Sequence, residues 1–266
     1  MKKTILITGS TDGIGLEAAK LLAEQGHQIL LHGRNPAKLE QAAQQIKQQF
    51  GDAELKSYIA DLSVLSEVEK LARAIAEKYS QLDVVINNAG IFKTPEALTQ
   101  DGLDIRFAVN TIAPYLLTKK LLPLMKSTGR VVNLSSAAQA PVDLKALLSA
   151  PSLPDNAAYA QSKLALTMWS AILGQTHKTD GPMIVSVNPG SLLASKMVKE
   201  AYGIAGGDIS IGANILRDAA LSDSFAEAHG LYFDNDSGKF AAPHPDALDT
   251  QKSEQVIQVI EQCLAR

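Results

Sequence analysis

Cysteine is almost absent from this chain of 266 residues, in which Cys263 is the only one. An intramolecular disulfide and a metal cluster built from cysteines are therefore excluded. The histidines show no metal-ligand spacing either, and we expect most of them in loops or at the surface: His27, His32, His177, His229 and His244. We predict no metal site.

The chain also lacks a charge imbalance and long apolar runs. Its 25 basic and 28 acidic residues give a formal net charge of −3, which gives no reason to expect nucleic acid or anionic lipid as a partner. No apolar run approaches the roughly 20 residues of a membrane span, and the apolar start is too short for a signal peptide. We expect a soluble, cytoplasmic protein. The apolar fraction of 46% can build a large core, and the length suits one domain, residues 1–266.

Short apolar runs alternate with segments of helical periodicity. The runs predict strands over 3–8, 28–32, 55–60, 82–86, 129–134 and 182–187. The periodic segments predict helices over 13–25, 36–49, 66–79, 157–175 and 101–125, the last interrupted at Pro114. Continuous apolar strands are typical of a parallel sheet covered on both faces. We therefore predict an α/β fold with a doubly wound parallel sheet and a ligand crevice at the carboxyl ends of its strands.

Two long segments break this alternation, an insert at about 137–156 and a region at about 191–245. Loops of such length inside a compact domain are more often lids or binding loops than connectors. We interpret the second segment as a substrate-loop region.

A glycine-rich turn joins the first predicted strand to the first predicted helix. Gly9, Gly13 and Gly15 lie where backbone amides can approach a phosphate without Cβ atoms in the way, at the positive end of the helix dipole. The context of strand, turn and helix favours a dinucleotide site, although a glycine-rich turn without a ligand stays an alternative from this motif alone.

A tyrosine and a lysine lie four residues apart on a predicted helix, at Tyr159 and Lys163. Positions i and i+4 share a helix face, so the phenol and the ammonium can point into one cleft. A free tyrosine has a pKa of about 10, and a neighbouring positive charge would lower that pKa. The pair occurs by chance in many helices, and it is its combination with the glycine turn that predicts acid–base chemistry beside a bound dinucleotide.

The sequence resembles the short-chain dehydrogenase/reductase family. Residues 8–15 match the family's Thr-Gly-x-x-x-Gly-Ile-Gly pattern at every fixed position. The resemblance covers nearly the whole chain and includes Asp61-Leu62, Asn87-Asn88-Ala89-Gly90, Asn110, Ser135-Ser136, Tyr159, Lys163 and Asn188-Pro189-Gly190. It implies a Rossmann-type fold and an NAD(P)-dependent oxidoreductase that acts on a small-molecule carbonyl or alcohol.

The resemblance also implies roles for individual residues. Tyr159 would be the general acid or base, Lys163 would tune it and hold the cofactor ribose, and Ser136 would hydrogen-bond the substrate oxygen. Asn110 would anchor a water linked to the lysine. The implied cofactor-binding set is Gly9, Ser10, Thr11, Asp12, Gly13, Ile14, Gly15, Arg34, Asp61, Leu62, Asn88, Ala89, Gly90, Asn110, Tyr159, Lys163, Pro189, Gly190 and Ser191.

Some of these residues have other interpretations. Asp61 could equally cap the next helix, and Ser135 and Ser136 could be turn residues. Relatives usually have a threonine after the Pro-Gly turn, where this chain has Ser191, which leaves Ser195 as an alternative for the cofactor contact.

Arg34 decides which nicotinamide cofactor we expect. NAD-binding relatives usually place an acid at the end of the second strand, to hold the ribose hydroxyls. This chain has an arginine there and no acid. A guanidinium can form paired hydrogen bonds to a 2′-phosphate, so we predict NADP in preference to NAD. The alternative is that Arg34 is a solvated loop residue.

The insert suggests a substrate class. Its apolar residues flank the predicted reaction centre and favour a lipophilic aldehyde, ketone or alcohol, unless they only pack the insert onto the body: Pro141, Val142, Leu144, Leu147, Leu148 and Leu153. Similar inserts, and the run Leu231-Tyr232-Phe233, resemble the branch of retinol dehydrogenases and related carbonyl reductases.

Two further interpretations concern assembly and catalysis. A homo-dimer or homo-tetramer could form through the helices over 101–125 and 157–175, although the apolar residues considered for that surface could equally be core: Leu116, Leu117, Leu121, Met168, Trp169 and Ile172. A non-catalytic NADP-binding sensor or structural module is the alternative to an enzyme. Such degenerate relatives typically lose the tyrosine or the lysine, and both are present here.

Overall fold

Eight strands form one twisted sheet with the order β3-β2-β1-β4-β5-β6-β7-β8. The structure, a computed structural model, describes residues 1–194 and 196–265, apart from the side chains of 200–202. The strands are β1 (Thr4–Ile7), β2 (Gln28–Gly33), β3 (Leu55–Ile59), β4 (Val84–Asn87), β5 (Arg130–Leu134), β6 (Met183–Asn188), β7 (Tyr232–Asp234) and β8 (Lys239–Phe240). Neighbouring strands are parallel except β8, which is antiparallel to β7.

Helices cover both faces of this sheet, because its strands are apolar on both sides. They are α1 (Gly13–Glu24), α2 (Pro36–Gln49), α3 (Leu65–Ala76), α4 (Ile105–Phe107), α5 (Ala113–Leu121), α6 (Leu144–Leu147), α7 (Asp155–Thr176), α8 (Lys196–Tyr202), α9 (Ile209–Leu221) and α10 (Thr250–Leu264). On one face α1, α2 and α9 pack on the strands, and on the other α3 and α5 do so, with α7 beside them and α10 against α7. The predicted doubly wound, Rossmann-type sheet is confirmed.

The strand order reverses between β1 and β4, because the chain runs outward through β2 and β3 and then returns to pair β4 with β1. In such sheets the crevice for a ligand opens at this reversal, beyond the carboxyl ends of the strands. The glycine turn follows β1, and residues 88–90 follow β4, so both motifs lie at the reversal.

The prediction that Pro114 interrupts a long helix was wrong. The regular helix begins at Ile105, passes through a π-helical turn at Ala108–Ile112 and continues as α5, with Pro114 in the first turn of α5. A proline is tolerated there because the first amides of a helix have no intrahelical partner. The π-helical turn is the actual irregularity, and it holds Asn110.

The two segments that broke the alternation are partly regular. Residues 191–245 contain α8, α9, a 3₁₀ turn and the hairpin of β7 and β8, so a long loop there was the wrong prediction. In the insert, Leu147 is fully buried, and its apolar neighbours pack against the same cluster around α7 and α10: Val142, Leu144, Leu148 and Leu153. These side chains therefore attach the insert to the body.

Five of the six helical residues considered for a dimer surface are buried within this chain: Leu116, Leu117, Leu121, Met168 and Trp169. The sixth, Ile172, is half-buried. They contribute to its own core and offer no open apolar face. Among the helices of residues 1–194 and 196–265, none has the length and apolar character that a bilayer crossing requires.

Candidate active site

The glycine turn is held against the end of β4 by close backbone packing. Gly9 has φ +64°, and a Cβ built on it would lie 2.9 Å from Ala89 Cα. A Cβ on Gly15 would lie 2.3 Å from Asn88 Nδ2 and 2.5 Å from the Gly9 carbonyl oxygen. Asn88 Nδ2 donates to the carbonyls of Thr8 (2.8 Å) and Gly9 (3.0 Å). Only glycine fits these two positions.

Helix α1 begins at the end of the turn. The Asp12 carboxylate caps it by accepting the Gly13 N–H at 2.7 Å. Gly13 has φ +59° and open space where its Cβ would be, with no heavy atom nearer than Ile209 Cδ1 at 3.9 Å. The first amides of α1, including those of Ile14 and Gly15, thus open onto a concave turn at the positive end of a helix dipole.

Ser10 and His32 brace this turn from inside. The buried Ser10 hydroxyl accepts the His32 N–H at 2.9 Å, so that side chain faces β2. The His32 ring accepts the Gly9 N–H on Nδ1 (3.2 Å) and contacts the Ala60 carbonyl through Nε2 (3.1 Å). Burial lowers the pKa of His32 to about 4, so the ring is neutral at pH 7.

The expectation of surface or loop positions is confirmed for four of the five histidines, which lie outside helices and strands, and it is wrong for His32. His32 is buried in β2, and His27 and His229 are buried as well. Sequence reasoning missed the bracing role of His32 because it depends on the neighbouring ends of β1 and β3, which no local pattern shows. The part of the chain that the structure describes contains no group of three or more His, Cys, Asp or Glu side chains placed for a metal ion.

The outer edge of the crevice carries Arg34 and Asp61. Arg34 follows β2 with an exposed side chain, and it forms no ion pair with any residue that the structure describes. Asp61 Oδ1 accepts from the Ser63 amide (2.9 Å) and hydroxyl (2.7 Å). The carboxylate thus closes a turn ahead of α3 and does not cap that helix, which begins at Leu65. Leu62 is buried beneath this turn.

Tyr159 and Lys163 share one face of α7, beside the ends of β4 and β5. Lys163 Nζ lies 5.8 Å from the centre of the Tyr159 ring and donates to the Leu134 carbonyl at 2.7 Å. The ring of Phe92 packs edge-on against Tyr159, with centroids 4.8 Å apart. Lys163 is buried, and burial lowers its pKa to about 8. The Tyr159 side chain is half-buried.

Asn110 lies close to Gly90 of the loop that follows β4. A Cβ on Gly90 would lie 3.4 Å from Asn110 Oδ1 and 3.5 Å from Lys163 Nζ, so both groups line the same narrow space. Asn110 Oδ1 accepts the Ile91 N–H (2.8 Å), and its Nδ2 donates to the Ile91 carbonyl (2.9 Å) and to Ser162 Oγ (2.9 Å). Its amide therefore joins the loop after β4 to α7.

The two serines after β5 face different ways. The Ser135 hydroxyl is buried 2.6 Å from Thr167 Oγ1, in the contact between β5 and α7. Ser136 is half-buried, and its Oγ accepts the Ala138 N–H at 3.1 Å. Ser136 is thus the serine with its hydroxyl at the crevice, two residues beyond the carbonyl that Lys163 contacts.

The turn after β6 completes the crevice. Gly190 has φ +118° and Leu192 has φ +52°, so two residues of Pro189–Leu192 occupy the left-handed region. Residues of the β7–β8 hairpin contact this turn, and sequence reasoning did not single them out; the nearest signal was the Leu231-Tyr232-Phe233 run. Ser195, the alternative to Ser191 for a cofactor contact, lies outside the described residues.

A cavity of about 320 Å³ adjoins the loop that follows Ser136. Its lining combines alanines and a proline with the polar residues Gln139, Tyr232, Asp234, Asp236 and His244. The two carboxylates make this cavity unfavourable for an anionic group.

The predicted motifs thus meet along one edge of the sheet, in the order glycine turn, residues 88–90, Lys163, Tyr159 and Ser136. The residues present fit a dinucleotide. The turn leaves space where Cβ atoms would obstruct a pyrophosphate, the first amides of α1 point toward it, and a buried ammonium lies at the strand ends where a nicotinamide ribose would be held.

Comparison with known proteins gives the class. The model of the short chain dehydrogenase family matches residues 3–203. Human retinol dehydrogenase 13 is 30% identical over 270 residues, covering 94% of this chain and 80% of the relative. Human polyprenol dehydrogenase is 33% identical, covering 71% of this chain and 60% of the relative. The chain belongs to the short-chain dehydrogenase/reductase family, whose members are oxidoreductases.

Solved structures agree with the family. A protein from Mycobacterium paratuberculosis superimposes with a TM-score of 0.81 at 26% identity, covering 98% of this chain and 92% of that one. A short chain dehydrogenase from Shigella flexneri 2a, solved with NADP, gives a TM-score of 0.69 at 28% identity, covering 88% and 96%. Within its family this chain is therefore an oxidoreductase similar to retinol dehydrogenases.

Proposed function

We propose that the protein is an NADP(H)-dependent oxidoreductase that interconverts a carbonyl and an alcohol, with Tyr159 as the general acid or base. The observation that carries the proposal is the placement of Lys163 Nζ 5.8 Å from the Tyr159 ring, at the end of β5 and beside the loop of Ser136. A bound NADP(H) would supply or accept the hydride.

In the proposed mechanism the chain holds the substrate oxygen and moves one proton. The Ser136 hydroxyl donates a hydrogen bond to the carbonyl oxygen, where negative charge develops during reduction. Tyr159 gives its phenolic proton to that oxygen, and in the reverse reaction the phenolate takes the proton from the alcohol. The Lys163 ammonium favours the phenolate and, with donors to spare, binds the ribose hydroxyls. Asn110 keeps the Ile91 loop and α7 together around the lysine.

The proton-transfer role can be tested by removing one oxygen atom. Tyr159→Phe keeps the ring that packs on Phe92, so we expect NADPH binding within about twofold of wild type. We expect turnover reduced by at least 10³-fold, because the variant has lost the proton that the proposed mechanism gives to the carbonyl oxygen. Tyr115→Phe is the matched control, since it removes a hydroxyl that contacts Glu261 on the outer helices. The measurement is NADPH absorbance against a carbonyl library, with binding followed by NADPH fluorescence. Turnover by Tyr159→Phe near the wild-type rate would refute the role.

The preference for NADP rests on Arg34. Its guanidinium is exposed at the end of β2, the place where an acid would hold the ribose hydroxyls of NAD, and relatives solved with NADP or NADPH support the assignment. We expect Arg34→Leu to weaken NADPH binding at least tenfold and to change NADH binding less than twofold. Arg73→Leu, on the exposed face of α3, should change neither. A wild-type preference for NADH would overturn the assignment.

The substrate class that we propose is a neutral, lipophilic carbonyl or alcohol. The apolar side chains of the insert no longer support it, since they pack onto the core. The proposal now rests on the names of relatives, retinol dehydrogenase and polyprenol dehydrogenase, and on the carboxylates of Asp234 and Asp236, which disfavour an anionic substrate. A panel of long-chain, aromatic, polyol and carboxylated carbonyls tests it, and activity confined to polyols or acids would exclude it.

A further inference from the structure

One short segment, residues 232–236, contacts the loops that follow both β5 and β6. It consists of β7 and the first two residues of its turn, and we call it the 232–236 segment. Toward the first loop, the Tyr232 hydroxyl donates to the Ser136 carbonyl at 3.2 Å, from a buried ring. Gln139 Nε2 donates to the same carbonyl at 2.9 Å. The backbone of Ser136 is thus held from two sides.

Toward the second loop, the contacts come from Asn235 and Asp236. Asn235 Nδ2 donates to the Pro189 carbonyl at 2.9 Å. Asp236 Oδ1 accepts the Ser191 N–H at 2.8 Å, and its Oδ2 accepts from Ser191 Oγ at 2.5 Å and from Asn188 Nδ2 at 2.9 Å. The carboxylate therefore receives three hydrogen bonds, and such bonds to a charged acceptor are among the strongest in proteins.

The contacts of Asp236 fall on a turn with unusual backbone angles. Ser191 lies between Gly190 and Leu192, the two residues of this turn with positive φ. For leucine this conformation is uncommon, and it persists only where the surroundings hold the backbone in place. Burial acts to raise the pKa of Asp236, but hydrogen bonds from Ser191 and Asn188 outweigh it and leave that pKa below its usual value, so the carboxylate is charged at pH 7.

We infer that Asp236 and Tyr232 are positioning residues, Asp236 for the turn of Pro189–Ser191 that borders the cofactor and Tyr232 for the catalytic Ser136. The inference rests on the proposed function. Neither residue is assigned a contact with reacting atoms; each acts through the loop that it holds. Replacing either residue should therefore change the property that depends on the loop it holds, and replacing a residue needed only for folding would not produce that separate effect.

Two variants separate these effects. Tyr232→Phe removes one donor from the Ser136 carbonyl, so we expect kcat to fall at least fivefold with the Kd for NADPH within twofold. Asp236→Ala releases Ser191, so we expect that Kd to rise at least tenfold, and Asp236→Asn, which keeps one acceptor for the Ser191 N–H, should recover part of the loss. Misplacement of a catalytic group by about 1 Å is enough for effects of this size.

The matched controls remove the same chemical groups elsewhere. Tyr115→Phe deletes a hydroxyl that contacts Glu261. Asp83→Ala deletes a carboxylate that accepts the Thr4 N–H (2.8 Å) and Gln81 Nε2 (2.8 Å) at the opposite edge of the sheet. We expect both controls to keep kcat and the Kd for NADPH within twofold of wild type.

Amide exchange in the apoprotein, measured by NMR, tests the inference without turnover. The Ala138 N–H reports on the Ser136 hydroxyl that accepts it, and the Ser191 N–H reports on Asp236. Tyr232→Phe should accelerate exchange at Ala138 only, and Asp236→Ala at Ser191 only. Unchanged exchange at Ser191 in Asp236→Ala, or equal acceleration at both amides in both variants, would overturn the inference. If the wild type reduces no carbonyl, the proposed function fails, while the exchange pattern still decides whether the 232–236 segment holds the two loops.

Discussion

The buried ammonium of Lys163 leads to a prediction about stability, because a charge inside the protein destabilises the folded state. We expect Lys163→Met to stabilise the apoprotein at pH 7 while it abolishes turnover. Methionine has a similar length and suits the apolar neighbours of the stem. Burial lowers the pKa of Lys163 from 10.5 to about 8, and at pH 7 the group is charged in both the folded and the unfolded chain.

The magnitude follows from that pKa. Each pH unit of difference corresponds to about 1.4 kcal/mol, so the interval between 10.5 and about 8 amounts to roughly 3–4 kcal/mol against the folded state at pH 7. The variant also leaves the Leu134 carbonyl without its partner, which costs about 1–2 kcal/mol. A net gain of about 2 kcal/mol remains. For a chain of this size that gain raises the Tm by about 4–8 °C.

The pH dependence has a definite sign. Between about pH 8 and 10.5 the folded chain has released the Lys163 proton while the unfolded chain still binds it, so the stability of the wild type rises with pH relative to the variant. Urea unfolding at pH 7 and pH 10 should therefore show the advantage of Lys163→Met disappearing. Lys70→Met, at an exposed position of α3, is the control and should differ little from wild type at either pH. A Tm of Lys163→Met at or below that of the wild type at pH 7 would refute the reasoning.

Three further predictions concern the same framework. Burial lowers the pKa of His32 to about 4, so the contribution of the neutral ring to stability is present above about pH 6.5 and is lost as the pH falls toward 4. Between pH 7 and pH 5 the wild type should therefore lose about 2 kcal/mol more free energy of unfolding than His32→Asn, as measured by urea unfolding. Equal losses in the two proteins would contradict this prediction. Gly15→Ala should cost about 2–3 kcal/mol and weaken NADPH binding, because its Cβ would meet the Gly9 carbonyl at 2.5 Å, whereas Gly51→Ala, in open space, should cost little in the same assays. Arg106→Met should lower the free energy of unfolding by about 3–5 kcal/mol in chemical denaturation, because it leaves the buried Asp104 carboxylate without the partner that lies 2.6 Å away. Adding Asp104→Asn should restore part of that loss. If it restores none, an unpaired buried charge is not the cause.

The elements predicted best are those whose causes are local. The strand over 28–32 and the helix over 36–49 were predicted nearly to the residue, because continuous apolar residues mark a buried parallel strand and Pro36 marks a first helical turn. The glycine turn was predicted for the same reason, since its spacing is a property of the chain between one strand and the next helix. The parallel, doubly wound sheet followed from the alternation of strands and helices, whereas the order of its strands was not predicted.

The elements missed are those whose causes lie far apart in the chain. The π-helical turn around Asn110 is held by Ile91 and Ser162, 19 and 52 residues away, and Pro114 misled the prediction because its local preference agrees with a first helical turn as well as with a break. The short strand β7 exists because β6 offers a free edge, which its three residues cannot reveal on their own.

The same distinction between local and distant causes applies to the residues of the candidate site. The sequence by itself determined which residues we propose for the chemistry, Tyr159, Lys163 and Ser136, because residue type and spacing along one helix or one turn are local properties. Only the tertiary structure decided that Ser135 is buried against Thr167, that His32 braces the glycine turn, and that the 232–236 segment holds two loops. Each of these depends on hydrogen bonds between segments that become neighbours only when the sheet has formed, and no pattern within either segment encodes its partner.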